Sequence, residues 1–127
     1  MQDGGADRCV LVVDDDSMIR AVVAEALELE GYGVVTATNG AEALDRVRAN
    51  PPRAVVLDLM MPVMDGWQFL DACRKENLCA DIPILVMSAY RHLGEQAPKL
   101  RATACIAKPF DLDVLLGAVD RLVKRAA

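Results

Sequence analysis

Short runs of β-forming residues alternate along the chain with segments in which apolar residues recur every three or four positions. The runs lie at residues 10–13, 34–38, 54–57, 84–87 and 104–107. Most of them lack the strict alternation of apolar and polar residues that a half-exposed strand shows, which favours strands buried on both faces. We therefore predict five strands, of which the last is the weakest.

A helical segment follows each predicted strand. Gly31 ends the first helix, and residues with good N-cap side chains begin four of the five. The stretch from 90 to 102 is less regular, because Gly94 and Pro98 interrupt it. Since proline is tolerated only in a first turn, we predict a short helix there that begins near Gly94. The predicted N-caps are Asp16, Asn39 (in a capping box with Glu42), Asp65 and Asp111.

Five strands that alternate with five helices predict an α/β domain, a doubly wound parallel sheet with helices on both faces. Right-handed crossovers leave two common strand orders, and five strands fit the order 2-1-3-4-5. A chain of 127 residues forms one domain of this kind. We place that domain at residues 9–125 and expect residues 1–8 to form a flexible tail.

Charged and polar side chains stand at the ends of four of the predicted strands. Asp14 and Asp15 follow the first strand, Asp58 the third, Ser88 the fourth and Lys108 the fifth. In the predicted order the first and third strands are neighbours, and ligands bind in the crevice at their carboxyl ends. Solvation alone explains one polar residue at a strand end, but four strand ends with complementary chemistry predict a shared site.

Carboxylates that lie this close together need a positive partner. Two like charges 4 Å apart repel each other by roughly 4 kcal/mol at an effective dielectric constant near 20. Mg²⁺ prefers oxygen ligands and keeps several waters, so it would offset the repulsion between Asp14, Asp15 and Asp58. Asp16 belongs to the same acidic run, but capping of the helix that starts at Ser17 accounts for it.

The same residues suit the transfer of a phosphoryl group. Asp58 stands at the centre of the predicted pocket, where its carboxylate is the natural nucleophile toward phosphorus. Phosphoryl transfer requires mainly positioning and the neutralisation of charge on the equatorial oxygens. We expect Mg²⁺ and Lys108 to supply positive charge and Ser88 to supply a hydroxyl donor.

Composition narrows the range of functions. The net charge of −5 argues against direct binding to a nucleic-acid backbone. No apolar run approaches the roughly 18 residues that a membrane span requires. The four cysteines include no CxxC pair, and the chain has a single histidine, so zinc binding is not expected. Reduced thiols in the cytoplasm are the default for Cys9, Cys73, Cys79 and Cys105.

Four runs, VVDDD, VVLDLMMPVMDG, ILVMSA and KPF, together resemble the receiver domain of two-component response regulators over residues 9 to about 123. The resemblance implies a flavodoxin-like receiver fold similar to that of the chemotaxis regulators. It also implies that Asp58 accepts the phosphoryl group. Asp14, Asp15 and Asp58 would then bind Mg²⁺ together with the backbone carbonyl of Met60.

The resemblance assigns roles to two further residues and to partners. Ser88 takes the place of the family's switch hydroxyl, and Lys108 that of the lysine that pairs with the phosphoryl group. The family's Lys–Pro bond is commonly cis, so we expect a cis bond before Pro109. The implied partners are a histidine kinase or phosphotransfer protein and a downstream effector protein or domain; a phosphorylation-linked homodimer is also allowed. The implied role is a cytoplasmic switch that catalyses only its own phosphorylation and dephosphorylation.

Two positions depart from the family pattern. Cys105 replaces the tyrosine or phenylalanine that the family usually carries in strand five, and Pro98 shortens the fourth helix. Because Cys105 has no ring to reorient, we predict that the signal does not leave by the family's relay from switch hydroxyl to aromatic ring. The loop at residues 88–98 is the candidate that replaces the relay.

Three alternatives share parts of this pattern. A Mg²⁺-dependent phosphatase with an aspartyl nucleophile is the nearest, but that class has a second aspartate two residues after the nucleophile, where this chain has Met60. A flavodoxin-like electron carrier would need a phosphate-binding loop after strand one, where three aspartates would repel the phosphate. A receiver that has lost phosphorylation would not need the complete acidic set.

Overall fold

The computed structural model describes residues 9–89 and 93–126, so the predicted tail at residues 1–8 lies outside the described part. Strands and helices alternate along the whole of that part. The strands are β1 Cys9–Val13, β2 Gly33–Ala37, β3 Ala54–Asp58, β4 Ile84–Ser88 and β5 Ala104–Ala107. The helices are α1 Ser17–Leu29, α2 Gly40–Ala49, α3 Gly66–Lys75, α4 Leu93–Leu100 and α5 Leu112–Ala126.

The five strands form one parallel sheet in the order β2-β1-β3-β4-β5, which confirms the predicted topology. Register aligns the carboxyl ends of the strands. Val13 lies opposite Leu57, and Ser88 lies opposite Ala107. All the polar residues at the strand ends are therefore carried to one end of the sheet.

Two apolar cores cover the two faces of the sheet. Successive side chains of β1 alternate between them, with Val10 and Val12 in one core and Leu11 and Val13 in the other. Helices α1 and α5 cover the first core, and α2, α3 and α4 cover the second. This double burial explains why the strands read as continuous apolar runs.

Side chains cap the helices largely as predicted. The Asp16 carboxylate accepts hydrogen bonds from two backbone N–H groups of α1, and Asp111 accepts one from Asp113. Asp65 forms a complete capping box with Gln68 at the start of α3.

The capping box predicted at the start of α2 is wrong in one half. Asn39 accepts from the backbone N–H of Glu42, but the Glu42 carboxylate turns to Thr38. There it accepts two hydrogen bonds, from the backbone N–H at 3.0 Å and from the hydroxyl at 2.9 Å. Thr38 offers two donors where the N-cap residue offers one, which explains the choice.

Helix α4 is short, as predicted, with eight residues from Leu93. Pro98 is its sixth residue, however, so the proline lies beyond the first turn in which we expected it. A proline there cannot donate to the carbonyl of Gly94, and in so short a helix this removes one hydrogen bond. The expected cis bond between Lys108 and Pro109 is present. None of the described helices is both long enough and apolar enough to span a membrane.

The cysteines depart from the prediction of reduced thiols. Cys73 and Cys79 form a disulfide, with Cα atoms 5.6 Å apart. The chain reverses just after α3, where Asn77 has a left-handed backbone and the N–H of Leu78 donates to the carbonyl of Cys73 at 2.8 Å. This reversal brings the two sulfur atoms together, so the prediction is wrong for this pair. Within the described residues Cys9 and Cys105 are free.

Candidate functional site at the carboxyl end of the sheet

Three carboxylates meet at the carboxyl end of the sheet. Asp14 follows β1 directly, Asp15 is next, and Asp58 is the last residue of β3. One carboxylate oxygen from each lies within 4.8 Å of the others. Asp14 and Asp58 are buried, whereas Asp15 is exposed to solvent. The structure thus brings together the predicted acidic residues.

Lys108 places an amino group among these carboxylates. Its Nζ lies 2.7 Å from Oδ2 of Asp14 and 3.4 Å from Oδ2 of Asp58. Its backbone N–H donates to the carbonyl of Ser88 at 2.8 Å, which ties the end of β5 to the end of β4. Burial acts to lower the pKa of Lys108, but the hydrogen bond to Asp14 and the two negative charges outweigh it, so the pKa is raised. The lysine is therefore held in its charged form.

Asp14 is held from three sides. Its Oδ1 accepts the backbone N–H of Asp16 at 2.9 Å, and its Oδ2 accepts Lys108. Its backbone carbonyl accepts Nη1 of Arg20 at 2.7 Å. Sequence reasoning missed Arg20. The signal that was available is its position in the first turn of α1, close to the end of β1.

Asp58 is held less firmly than Asp14. Its Oδ1 accepts the backbone N–H of Met60 at 3.3 Å. Burial raises the pKa of Asp58, the charge of Asp14 raises it further, and Lys108 only partly compensates. One lysine therefore does not balance the acidic cluster, and additional positive charge beside Asp58 would favour its ionised form.

The loop from 59 to 65 closes the site and is tightly fixed. The N–H of Gly66 donates to Leu59 at 2.9 Å, and the N–H of Gly40 donates to Met64 at 2.8 Å, which joins the loop to the start of α2. A side chain on Gly66 would have its Cβ only 2.7 Å from the carbonyl oxygen of Asp58. Only glycine allows this approach of α3 to the end of β3.

A family model for the response regulator receiver domain matches residues 10–120. The chain belongs to this family. Response regulator MprA of Mycobacterium sp. (strain KMS) is 41% identical over 121 residues, which cover 93% of this chain and 51% of that protein. The chain thus spans about half the length of the curated relatives it matches.

Solved structures agree with this assignment. The receiver domain of the Francisella response regulator 1452 has a TM-score of 0.86 at 32% identity and covers 94% of this chain and 99% of that chain. TrrA of Thermotoga maritima, solved in complex with Mg(2+)-BeF, has a TM-score of 0.81 at 34% identity, with 91% of this chain and 98% of that chain covered.

In this receiver domain the donor set fits a hard divalent cation. The ligand atoms that converge are carboxylate oxygens, which Mg²⁺ prefers, and they carry more negative charge than Lys108 neutralises. Asp15 is exposed, which leaves room for the waters that Mg²⁺ keeps. The backbone N–H of Met60 points to Asp58. A metal-ligand role for the Met60 carbonyl remains a prediction.

Met60 separates this receiver domain from the phosphatase alternative. It occupies the position of that class's second aspartate, and its side chain is 55% exposed. A thioether has no proton to give or take at any ordinary pH. The site therefore has no acid–base group at the position where the phosphatase class carries its second aspartate.

Two residues, Ser88 and Cys105, concern the predicted path of the signal. Ser88 ends β4 and is buried, while Cys105 lies opposite Val86 and packs against the core beneath α2, α3 and α4. Burial raises the pKa of the Cys105 thiol, so the side chain behaves as a small neutral group. Of the loop predicted at 88–98, residues 93–98 lie in α4 instead, and residues 90–92 lie outside the described residues.

Proposed function

We propose that this receiver domain accepts a phosphoryl group on Asp58 from a histidine kinase or phosphotransfer protein. One observation carries the proposal. The buried Asp58 carboxylate lies beside the carboxylates of Asp14 and Asp15 and 3.4 Å from the amino group of Lys108. This arrangement joins a nucleophile to cation-binding oxygens and to a fixed positive charge.

Mg²⁺ is the cofactor we assign to the acidic cluster. Asp14, Asp15 and Asp58 would hold it, together with the backbone carbonyl of Met60. When bound, Mg²⁺ supplies positive charge that neutralises the oxygens of the phosphoryl group. The TrrA complex with Mg(2+)-BeF supports the same assignment by similarity.

The transfer step needs little from the protein beyond positioning. A carboxylate oxygen of Asp58 forms the new bond to phosphorus. The bond between phosphorus and the imidazole nitrogen of the donor breaks, and its electron pair stays with the imidazole. Lys108 then neutralises a phosphoryl oxygen, Ser88 donates its hydroxyl, and the N–H of Met60 keeps the other carboxylate oxygen of Asp58 oriented.

The proposal extends to the partners and the setting of the domain. We place the receiver at residues 9–125 and propose that it works in the cytoplasm as a switch, without turnover of a free substrate. Its output is a downstream effector protein or domain, and a phosphorylation-linked homodimer is compatible with it. The net charge of −5 argues against direct contact of the domain with nucleic acid.

Phosphorylation by a small donor tests the acceptor. We expect acetyl phosphate with Mg²⁺ to add one phosphoryl group, measured by intact mass, and chelation of Mg²⁺ to prevent it. Asp58→Asn should remove the label, since an amide is a far poorer nucleophile. Asp16→Asn is the matched control, because asparagine caps a helix as well as aspartate does and Asp16 lies outside the acidic cluster. A label that persists in Asp58→Asn would assign the acceptor to another residue.

Two further measurements separate the roles of the neighbours. Lys108→Ala should still carry its label on Asp58. It should mainly weaken the neutralisation of charge on the phosphoryl group and the response of the domain to phosphorylation. Sustained hydrolysis of a free phosphomonoester by the parent protein would instead revive the phosphatase alternative. We expect no such turnover.

A further inference from the structure

Two neighbouring cavities lie beside α3 and meet at the amino end of the sheet, where α3 and α4 both end. One, of about 310 Å³, reaches Ile84 at the start of β4 and Thr103 just before β5. The other, of about 460 Å³, runs along α3 from Trp67 in its first turn to Lys75 at its end, beside the last residues of α4. Arg74 and Arg101 line both cavities, so we treat the two as one amino-end groove. Volumes of this size are typical of small-molecule sites.

The amino-end groove is basic, although the chain carries a net charge of −5. Lys75 and Lys99 join the two arginines in the lining, and in the described part of the chain Asp71 is the one acidic lining residue. Asp71 already forms an ion pair with Lys75 at 3.0 Å. The lining therefore holds positive charge that no lining carboxylate matches.

Arg101 adopts a backbone conformation that its side chain makes costly. Its φ is 54°, in the left-handed region that glycine normally takes just after a helix. Arg74 fixes this turn by donating from Nη2 to the carbonyl oxygens of Leu100 and Arg101. Glycine would end α4 at lower cost, so the turn does not require an arginine side chain at position 101.

The two guanidinium groups also repel each other. Burial lowers the pKa of Arg74, and the positive charge of Arg101 lowers it further. An anion in the groove would relieve this repulsion, and guanidinium groups are well suited to bind phosphate through paired hydrogen bonds. The arrangement is therefore one that a phosphate ligand would stabilise.

Trp67 could contact a part of the ligand other than its phosphates. It lines the larger cavity together with Lys99 and the two arginines, and a flat indole ring offers a surface on which a nucleobase stacks. We propose that the amino-end groove binds a nucleoside polyphosphate, with its phosphates between Arg74 and Arg101 and its base against Trp67. The proposal does not depend on phosphorylation of Asp58.

Trp67 is the single tryptophan of the chain, so its fluorescence reports on binding directly. We expect ATP, titrated in EDTA at physiological salt, to quench this fluorescence to saturation. Arg101→Gly, which suits the left-handed turn, should weaken binding about tenfold or more. Arg121→Ala removes the same charge from α5, on the other face of the sheet, and should bind ATP as the parent does. Equal affinity in Arg101→Gly, or no saturable change, would overturn the proposal.

Competition experiments then test the class of ligand. Pyrophosphate and a hexaglutamate peptide should displace ATP only weakly, because neither has a base to stack on Trp67. If either competes as well as ATP does, charge alone explains binding and the nucleotide assignment is wrong. Asp58→Asn should bind ATP with unchanged affinity. A loss of affinity there would place ATP in the acceptor pocket and overturn the assignment to the amino-end groove.

Discussion

The junction of β3 with α3 is packed very differently from the region formed by α4 and β5. At the junction, a Cβ on Gly66 would lie 2.7 Å from the carbonyl oxygen of Asp58 and 2.8 Å from Cα of Leu59. In α4, a Cβ on Gly94 would meet nothing within 4 Å. Every residue of β3 is buried, whereas β5 is an edge strand whose residues are partly or fully exposed.

The difference in packing suggests that the site of phosphoryl transfer and the part that changes conformation lie in different regions. The proposed transfer to Asp58 requires reacting groups held in fixed positions, which the packed junction of β3 and α3 supplies. A switch also requires an element with two accessible states, and such elements come from regions of low packing and low local stability. The start of α4 and the edge strand β5 fit that description, so we expect the proposed acceptor to stay fixed while α4 and β5 respond.

The largest effect should come from filling the space at Gly66. Gly66→Ala forces a Cβ against backbone atoms that cannot move aside, and we expect it to lower the free energy of unfolding by about 3 kcal/mol. Gly94→Ala is the matched control. It adds the same methyl group in open space within a helix and should raise stability by about 0.5–1 kcal/mol.

Urea unfolding of the two variants measures both values. Similar effects of the two substitutions, in size and sign, would remove the contrast between the packed junction and the open helix.

Mg²⁺ should produce the next largest effect. At a free concentration about 100 times Kd, linkage predicts roughly 2.7 kcal/mol of stabilisation, because the ion binds the folded acidic cluster. Asp15→Asn should stabilise the metal-free protein, since it removes one of three mutually repelling carboxylates, and should weaken Mg²⁺ binding. Thermal unfolding with and without Mg²⁺ tests both expectations. A parent melting temperature that ignores Mg²⁺ would contradict the metal assignment.

Much of the site could be predicted from the sequence because it depends on strand direction. Parallel strands of similar length deliver their last residues to one end of the sheet, so Asp14, Asp58, Ser88 and Lys108 could be placed together from the ends of four apolar runs. Asp16 and Asp65 were identifiable as N-caps because capping is a local property.

The features that escaped prediction depend on where side chains and turns reach. The Cys73–Cys79 disulfide follows from a chain reversal after α3 that no local pattern specifies. The Glu42 carboxylate accepts from Thr38 and not from the next residue, Asn39, and this depends on the backbone at the start of α2. Arg20 reaches the carbonyl of Asp14 through a long side chain that could equally have extended into solvent.

A smaller effect is expected from neutralising Asp58 in metal-free buffer. Because its pKa in the folded protein is raised, protonation of Asp58 favours the fold, and that contribution is lost as pH rises through the folded-state pKa. Asp58→Asn should therefore be more stable than the parent at pH 7, by on the order of 1 kcal/mol. The difference should shrink as pH falls toward the ordinary carboxyl pKa.

Unfolding in EDTA, from pH 7 down toward the ordinary carboxyl pKa, measures the difference in the free energy of unfolding between Asp58→Asn and the parent. Asp71→Asn is the control, since that carboxylate is exposed and forms only a surface ion pair, and its effect should stay within about 0.5 kcal/mol. A variant of Asp58 that is less stable than the parent at pH 7 would show that the packed junction tolerates the buried charge.

The last and smallest effect concerns the path by which the signal leaves. In the receiver family an aromatic ring in the fifth strand fills the space that the switch hydroxyl vacates, but Cys105 has one χ angle and no ring. Cys105 also lies only partly buried on the edge strand, so it cannot force a rearrangement of the packing around it. The state that phosphorylation biases must then lie elsewhere, and the candidate is the segment at 88–98, which contains the start of α4, where a Cβ on Gly94 would meet nothing within 4 Å. Hydrogen exchange with and without beryllofluoride and Mg²⁺ tests this path, and Asp58→Asn provides a control in which the mimic should have no effect. We expect added protection at 88–98 and little change in β3 and the start of α3. Protection confined to β5 and α5, with 88–98 unchanged, would show that the usual face shifts as a rigid body and that the small side chain of Cys105 does not redirect the signal.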